Sequence, residues 1–328
     1  MRAVTITEGG GLEFIEKPDP VPGDHDLLVA VGAAGLNAAD LLQRKGFYPA
    51  PPGVPPDIPG MELAGEVLSI GDSVSRFKPG DKVMGLVGGG AQAELALTNE
   101  ATAIEIPEEM ELEAAGGFME GAATAFDALF TQAGLGAGET LLVTGAAGGV
   151  GVAAVQLGSA AGAVVVASTR HSEFHAPLIE LGAAAAVPPA TSKEFGPFDV
   201  VVELVGGEGA AESVASLATG GRMVIIGVGA GARFELDMLA LMSRRARIMA
   251  STMRARPLAA RSTVISELER RVIPLVDAGR MVVPITEAFP MPAAERAYDR
   301  FSAGAKFGKV VLVSGGAELP LEEAQQSS

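Results

Sequence analysis

The chain reads as an α/β protein, a doubly wound parallel sheet combined with a β-rich domain, on three observations. A β-branched run at 140–144 leads straight into a glycine-rich turn and then a helical stretch over 149–161. From about residue 120 to 256, short apolar runs alternate with helical patterns, which is how a parallel sheet with helices on both faces is written. Before residue 110 the pattern is different: short strand-like runs separated by Gly/Pro turns.

In chain order, a first domain over 1–120 is expected to hold strands at 1–7, 12–16, 27–33, 62–70 and 93–97, with a short helix at 38–45. Segment 48–60 is too proline-rich for a helix or a central strand, so it is an extended loop, either a rigid linker or the wall of a cleft. A second domain over 121–256 begins with a helix at 121–132. Its strands are expected at 140–144, 163–168, 198–204, 222–227 and 246–250, with helices at 149–161, 173–181, 208–218 and 236–243. Segment 257–315 then gives a long helix with Pro257 in its first turn, a strand at 281–286, a helix at 293–302 and a strand at 309–313. It shows no third core and is expected to return to the first domain. The polar tail, 316–328, is expected to be disordered.

Composition narrows the function. The 328 residues, 48% of them hydrophobic, suffice for two cores. A net charge of −16 opposes binding to nucleic acid or to anionic membranes and fits a soluble cytoplasmic protein. No apolar run approaches the roughly 18 residues of a membrane helix, and the N-terminal residues do not read as a signal peptide. Without cysteine there is no disulfide, thiol nucleophile or thiolate zinc site. Of the histidines His25, His171 and His175, the last two flank a helix start beside a strand, where contact with solvent or ligand is expected rather than metal.

The turn after 140–144 is the main functional signal. Gly145, Gly148 and Gly151 give G-x-x-G-x-x-G spacing, with Gly149 and Val150 inside it. Glycines allow a tight turn and bring backbone N–H groups close to a pyrophosphate, while the new helix directs its positive end at the same charge. Glycine spacing alone also occurs in ordinary tight loops; here strand, turn and helix are each expected independently. Two more glycine-ended runs, 200–206 and 223–229, bring backbone to the same carboxyl edge, where ligands bind in such sheets, so Gly206 and Gly227 are expected to contact the same ligand. About 20 residues past the turn, an NAD-selective site places an acid on the ribose 2′-hydroxyl. The chain instead has Ser168, Thr169 and Arg170. No acid repels a 2′-phosphate, and Arg170 is able to pair with one, so NADPH is favoured over NADH. The alternative is an ordinary surface arginine.

Several stretches resemble the medium-chain dehydrogenase/reductase superfamily, over nearly the whole chain. They run from Gly35 through Asn37 and Asp40 to Tyr48, from Pro59 to Glu62, from Pro79 to Val83, from Ala123 through Thr124 to Phe126, and from Gly308 through Lys309 to Leu312. Together they resemble its zinc-free quinone oxidoreductase branch, and the pattern around Asn37 to Tyr48 is shared with the p53-inducible quinone oxidoreductase type. The resemblance implies a GroES-like catalytic domain and a Rossmann-type domain. Zinc-dependent members place a Cys near Asn37 and a His before Glu62; this chain has Met61 there and no Cys. It departs from the quinone oxidoreductase pattern too. A lysine that contacts the 2′-phosphate in relatives is replaced by Phe174 or His175, and a tyrosine after a Leu-Gly-Ala element by Val187, Pro188 and Pro189. Ser168, Thr169 and Arg170 are left to hold that phosphate.

The implied reaction is hydride transfer from NADPH to a quinone or α,β-unsaturated carbonyl, needing a hydrogen-bond donor at the acceptor oxygen. Tyr48 is the candidate donor, or it only packs against the proline-rich loop. Asn37 is expected to orient nicotinamide or substrate. Asp40 belongs to the site or merely to its helix. By resemblance Thr124 lies near the nicotinamide; otherwise it is a buried helix threonine bonded to its own backbone. By resemblance Lys309 lines the cofactor cleft; otherwise it is a solvated strand end. An enoyl-thioester reductase and a low-turnover NADPH-binding redox sensor are the alternative functions. A homodimer, formed by extending the sheet at 246–250, is expected by analogy alone.

Overall fold

The computed structural model describes residues 1–314. Its six-stranded sheet is parallel throughout, in the order Ala185–Val187, Val164–Ser168, Thr140–Thr144, Phe198–Glu203, Leu217–Ile225, Arg247–Ala250. Numbered along the chain this is 3-2-1-4-5-6. The winding reverses between Thr140–Thr144 and Phe198–Glu203, and such a reversal leaves a crevice at the strands' carboxyl ends. Helix Gly149–Ala160 buries Val152, Ala153, Ala154, Val155 and Leu157, because it lies between the sheet and helix Met119–Phe126. That double burial is why its sequence carries no polar face.

A seven-stranded sheet forms the other half. It runs Ile285–Pro290, Lys309–Val313, Asp26–Gly35, Glu62–Ile70, Lys82–Leu86, Ala103–Glu105, with Leu95–Asn99 also paired to Asp26–Gly35. The C-terminal segment therefore returns to the sheet built by the first hundred residues. Strand Lys309–Val313 is buried along its whole length between its two neighbours. Helix Leu258–Arg271 packs Val264, Ile265 and Leu268 into the core shared with helix Met119–Phe126. Pro257 is its cap residue, just before the first turn.

Some elements differ from expectation. The strand expected at 281–286 lies at Ile285–Pro290. Met281 is buried in the core, but the polar groups of Val282 are bound by the side chain of Gln156, which replaces a strand partner there. The helix expected at 121–132 starts at Met119 and passes into a π-helical turn over Asp127–Gln132, at the buried ion pair of Asp127 with Arg256. The short strands Lys82–Leu86, Ala103–Glu105 and Ala185–Val187 and the short helix Leu112–Gly116 are additional. The disorder expected over 316–328 lies outside the described residues. Among the described residues no helix is long and apolar enough to cross a membrane.

Candidate active site

The glycine turn sits at the winding reversal. Gly145 has φ +61°, a left-handed conformation that a side chain disfavours. Gly148 caps helix Gly149–Ala160 without a side-chain acceptor, so the first N–H groups of the helix, at Gly149, Val150 and Gly151, have no intrahelical partner. A Cβ on Gly151 would lie 2.6 Å from the Cα of Ala146, so this glycine lets the helix press onto the turn. Two neighbours fix the turn: the N–H of Ala146 donates to the carbonyl of Ser168, and that of Gly308 to the carbonyl of Ala147. Ser168 and Thr169 are buried at the end of the next strand, and Arg170 projects exposed beyond them.

Between the two sheets lies a buried polar cluster. Lys309 Nζ bonds Glu62 Oε1 at 2.5 Å, Asn37 Oδ1 at 2.7 Å and the carbonyl of Leu36 at 3.0 Å. Asn37 Nδ2 donates to the same Glu62 oxygen, and Glu62 Oε2 accepts the N–H of Glu120 at the start of helix Met119–Phe126. Asp40 accepts the N–H groups of Asn37 and Gly60. Burial raises its carboxyl to about 6, even though both N–H donors and the charges of Lys309 and Arg254 oppose the rise. Glu120 accepts a 3.4 Å bond from the hydroxyl of Thr124, one helical turn on, while its Oε2 is buried with no partner. Burial, then the charge of Glu62, lifts this carboxyl to about 7, against the pull of Lys309.

Tyr48 stands at the edge of this cluster, half-buried. Its backbone carbonyl and ring are held by Arg254, whose guanidinium carbon lies 5.4 Å from the ring centre. Arg254 also bonds Gln43 Oε1 and the carbonyl of Gly88, so it ties the proline-rich loop to the segment before helix Leu258–Arg271. Burial and the charge of Glu120 raise the phenol above its ordinary value. On the other side, Arg261 faces Glu120, and its Nε is buried without a partner.

The structure thus brings Asn37, Asp40, Tyr48, Thr124 and Lys309 together around Glu62 and Glu120. Two of the alternatives fall away and one expectation changes. Lys309 is 3% exposed and is not a solvated strand end. Thr124 bonds a side chain rather than its own backbone. The amide of Asn37 is engaged with Lys309 and Glu62, which leaves it little to orient a ligand with. Gly206 and Gly227 lie at the carboxyl edge, but their bareness is explained by loops packing on each other. A Cβ on Gly206 would lie 2.6 Å from the carbonyl oxygen of Gly231, and one on Gly227 2.1 Å from that of Leu204. Glu120, Arg254, Arg261 and Glu203 went unread in the sequence. Glu203 holds the turn after its strand, accepting the N–H groups of Val205 and Gly206 and the hydroxyls of Thr144 and Ser213. Single acids inside apolar runs, as at Glu120 and Glu203, were the available signal.

A catalytic zinc does not fit these residues. The chain has no cysteine, buried Met61 precedes Glu62, and Glu62 and Asn37 already face the ammonium of Lys309. Among the described residues no group of three or more His, Cys, Asp or Glu is placed to hold a metal.

A 3-2-1-4-5-6 sheet with a bare glycine turn, facing a β-rich domain across a polar cluster, defines a two-domain oxidoreductase of the dinucleotide-binding kind. Residues 23–108 match the family described as alcohol dehydrogenase GroES-like domain, and residues 179–312 the family described as zinc-binding dehydrogenase. The quinone oxidoreductase of Lama guanicoe is 31% identical over 242 residues, covering 69% of this chain and 73% of that one. The human synaptic vesicle membrane protein VAT-1 homolog is 30% identical over 342 residues, covering 96% and 87%. The quinone oxidoreductase of Thermus thermophilus, solved alone and with NADPH, superposes with a TM-score of 0.81 at 32% identity, covering 95% of this chain and 100% of that one. The chain belongs to the medium-chain dehydrogenase/reductase superfamily, within its quinone oxidoreductase-type branch.

Proposed function

We propose that the protein is an NADPH-dependent, metal-free reductase that transfers hydride to quinones or related α,β-unsaturated carbonyls. The observation that carries the reading is the glycine turn at the winding reversal, with its helix N–H groups free and Arg170, rather than an acid, beyond the next strand. Gly145, Gly148, Gly149, Val150 and Gly151 hold the pyrophosphate, and Ser168, Thr169 and Arg170 the 2′-phosphate. Thr124 and Lys309 border the nicotinamide end. The cofactor supplies the hydride; the chain supplies position, exclusion of water and a proton. As hydride adds, negative charge grows on the acceptor oxygen. The Tyr48 phenol, stacked on Arg254, donates a hydrogen bond there while its ring lies along a flat acceptor. Asp40 and Asn37 hold helix Ala38–Arg44 and the loop behind Tyr48 in place.

In this reading residues 1–120 and the segment from 257 form the catalytic unit, and 121–256 the nucleotide-binding one. The protein works as a cytoplasmic homodimer, paired through the strand Arg247–Ala250, which is an edge of its sheet. The test is fluorescence titration of EDTA-treated protein with NADPH and NADH, then absorbance at the nicotinamide band after adding 1,4-benzoquinone or 9,10-phenanthrenequinone. NADPH binding with acceptor-dependent oxidation is expected. Binding without oxidation of NADPH by any quinone or enone removes the reductase reading.

A further inference from the structure

We propose that Glu120 is the acid that delivers the proton accompanying hydride transfer, an inference that rests on the reductase reading above and adds a residue to it. Glu120 is the second residue of helix Met119–Phe126, and the residue after it, Gly121, lies against the glycine turn: a Cβ there would be 3.2 Å from the carbonyl oxygen of Gly149. The helix that carries Glu120 thus packs on the start of the glycine turn's helix, and the Glu120 carboxyl is near enough to Tyr48 for its charge to raise the phenol. The backbone N–H of Glu120 is anchored on Glu62, and one carboxyl oxygen is steadied by Thr124. The other oxygen is buried and bonded to nothing. A buried polar atom without a partner is costly to keep, and such atoms are expected where a ligand or a proton completes them.

The charges around the carboxyl decide its protonation state. Glu62 faces it from strand Glu62–Ile70 and Asp40 from helix Ala38–Arg44; both disfavour ionisation. Lys309 from the last strand opposes them, as do Arg254 and Arg261 from the other side, but Lys309 is already spent on Glu62 and Asn37. Burial is the largest influence, and the carboxyl titrates at about 7, so much of it carries a proton at neutral pH. In Glu62 the same carboxylate chemistry is locked in the ion pair; in Asp40 it is tied to two N–H groups. Glu120 is the acid of the three left free to donate.

The hydride brings two electrons and one hydrogen to the acceptor, which becomes an anion. The O–H bond of the Glu120 carboxyl breaks, and its proton passes to that anion, directly or through the Tyr48 phenol. The carboxylate left behind regains a proton from water, since Glu120 retains some exposure.

The test compares wild type with Glu120→Gln and Glu120→Asp. Gln keeps the size and the bond from Thr124 but cannot give up a proton. In the cofactor-free protein, the infrared difference spectrum of wild type minus Glu120→Gln is expected to show a protonated-carboxyl C=O band at neutral pH that fades as the pH rises through 7. In turnover, kcat for Glu120→Gln is expected to fall about a hundredfold. The loss of wild-type kcat through pH 7 should vanish with it, while the NADPH dissociation constant holds. Glu120→Asp should keep the shape of the pH profile at a lower kcat. An unchanged kcat and pH profile in Glu120→Gln, or no carboxyl band, overturns the proposal. So does a Glu120→Gln protein whose only change is weaker NADPH binding. A wild type that binds NADPH but reduces no quinone or enone fails earlier, at the reductase reading, and is told apart because the carboxyl band is measured without any acceptor.

Discussion

Lys309 Nζ and Glu62 Oε1 meet at 2.5 Å with side chains 4% and 0% exposed, joining the last described strand to a strand some 250 residues earlier. Buried ion pairs of this kind gain little over an apolar pair, yet breaking one by removing a single partner leaves an uncompensated charge in the core. The aliphatic stem of Lys309 also fills the space over Gly149 and Gly117. Lys309→Ala is therefore expected to destabilise by about 3–5 kcal/mol. The pair Lys309→Met with Glu62→Gln should recover a good part of that. Denaturant titration of the single and double variants measures both; a single variant within about 0.5 kcal/mol of wild type would sink the argument.

Tyr48→Phe isolates the phenol, because the ring and its stack on Arg254 remain. Turnover with quinones is expected to drop roughly tenfold to a hundredfold, with NADPH affinity nearly intact. If kcat stays at the wild-type level, Tyr48 only packs against the proline-rich loop.

In the proposed function Arg170 is the residue that selects NADPH over NADH. It is exposed at the end of the strand whose Ser168 carbonyl anchors the glycine turn. A charge-assisted bond to a 2′-phosphate is worth about 1.5–3 kcal/mol. Arg170→Ala should weaken NADPH by about tenfold or more and leave NADH unchanged, and it should lose more at low salt than at high. Equal weakening of both cofactors would return Arg170 to the role of a surface residue.

How much of this was legible beforehand depends on range. The glycine turn, its strand and its helix lie within twenty-one residues, from Thr140 to Ala160, and local chemistry sets them, so the sequence located them nearly to the residue. The cluster of Asn37, Glu62, Glu120 and Lys309 is made by contacts across 25 to 272 positions, which no local pattern records. Lys309 illustrates the gap. Resemblance puts it at the cofactor cleft and its place at the start of an apolar strand allows a solvated end; only the pairing of that strand with Asp26–Gly35 places it over Glu62. The strand misplaced at 281–286 fails for a related reason, since a distant glutamine satisfies the backbone that an adjacent strand would otherwise bind.

Gly151→Ala tests the turn itself. The new Cβ would meet backbone atoms of Gly145 and Ala146 at 2.6 Å, and backbone cannot yield as a flexible side chain can. Overpacking of this kind costs about 1–3 kcal/mol, and the turn must shift away from the helix start. Both stability and NADPH binding should fall together. Loss of stability with cofactor affinity retained would mean that the pyrophosphate is held elsewhere.

Stability should also carry a pH signature of opposite sign to ordinary acid unfolding. Burial raises Asp40 from 3.8 to about 6 and Glu120 from 4.5 to about 7, so the folded protein binds more protons than the unfolded chain between those limits. These two groups stabilise fully below about pH 4 and lose that contribution as the pH rises through 6 and then 7. For fully buried Asp40 the difference amounts to about 3 kcal/mol. The carboxylates held low, Glu94 and Glu100 by backbone N–H bonds and Glu139 by Arg222, work in the other direction, and their contribution is lost only on acidification below the ordinary carboxylate range. Thermal melts between pH 4.5 and 8 therefore separate the two sets. Wild type should melt lower as the pH rises across that window, and Asp40→Asn and Glu120→Gln should each flatten part of the slope. A wild-type melting temperature that climbs steadily from pH 4.5 to 8 would mean that Asp40 and Glu120 are ionised in the folded protein, as the nearby charge of Lys309 alone would have it.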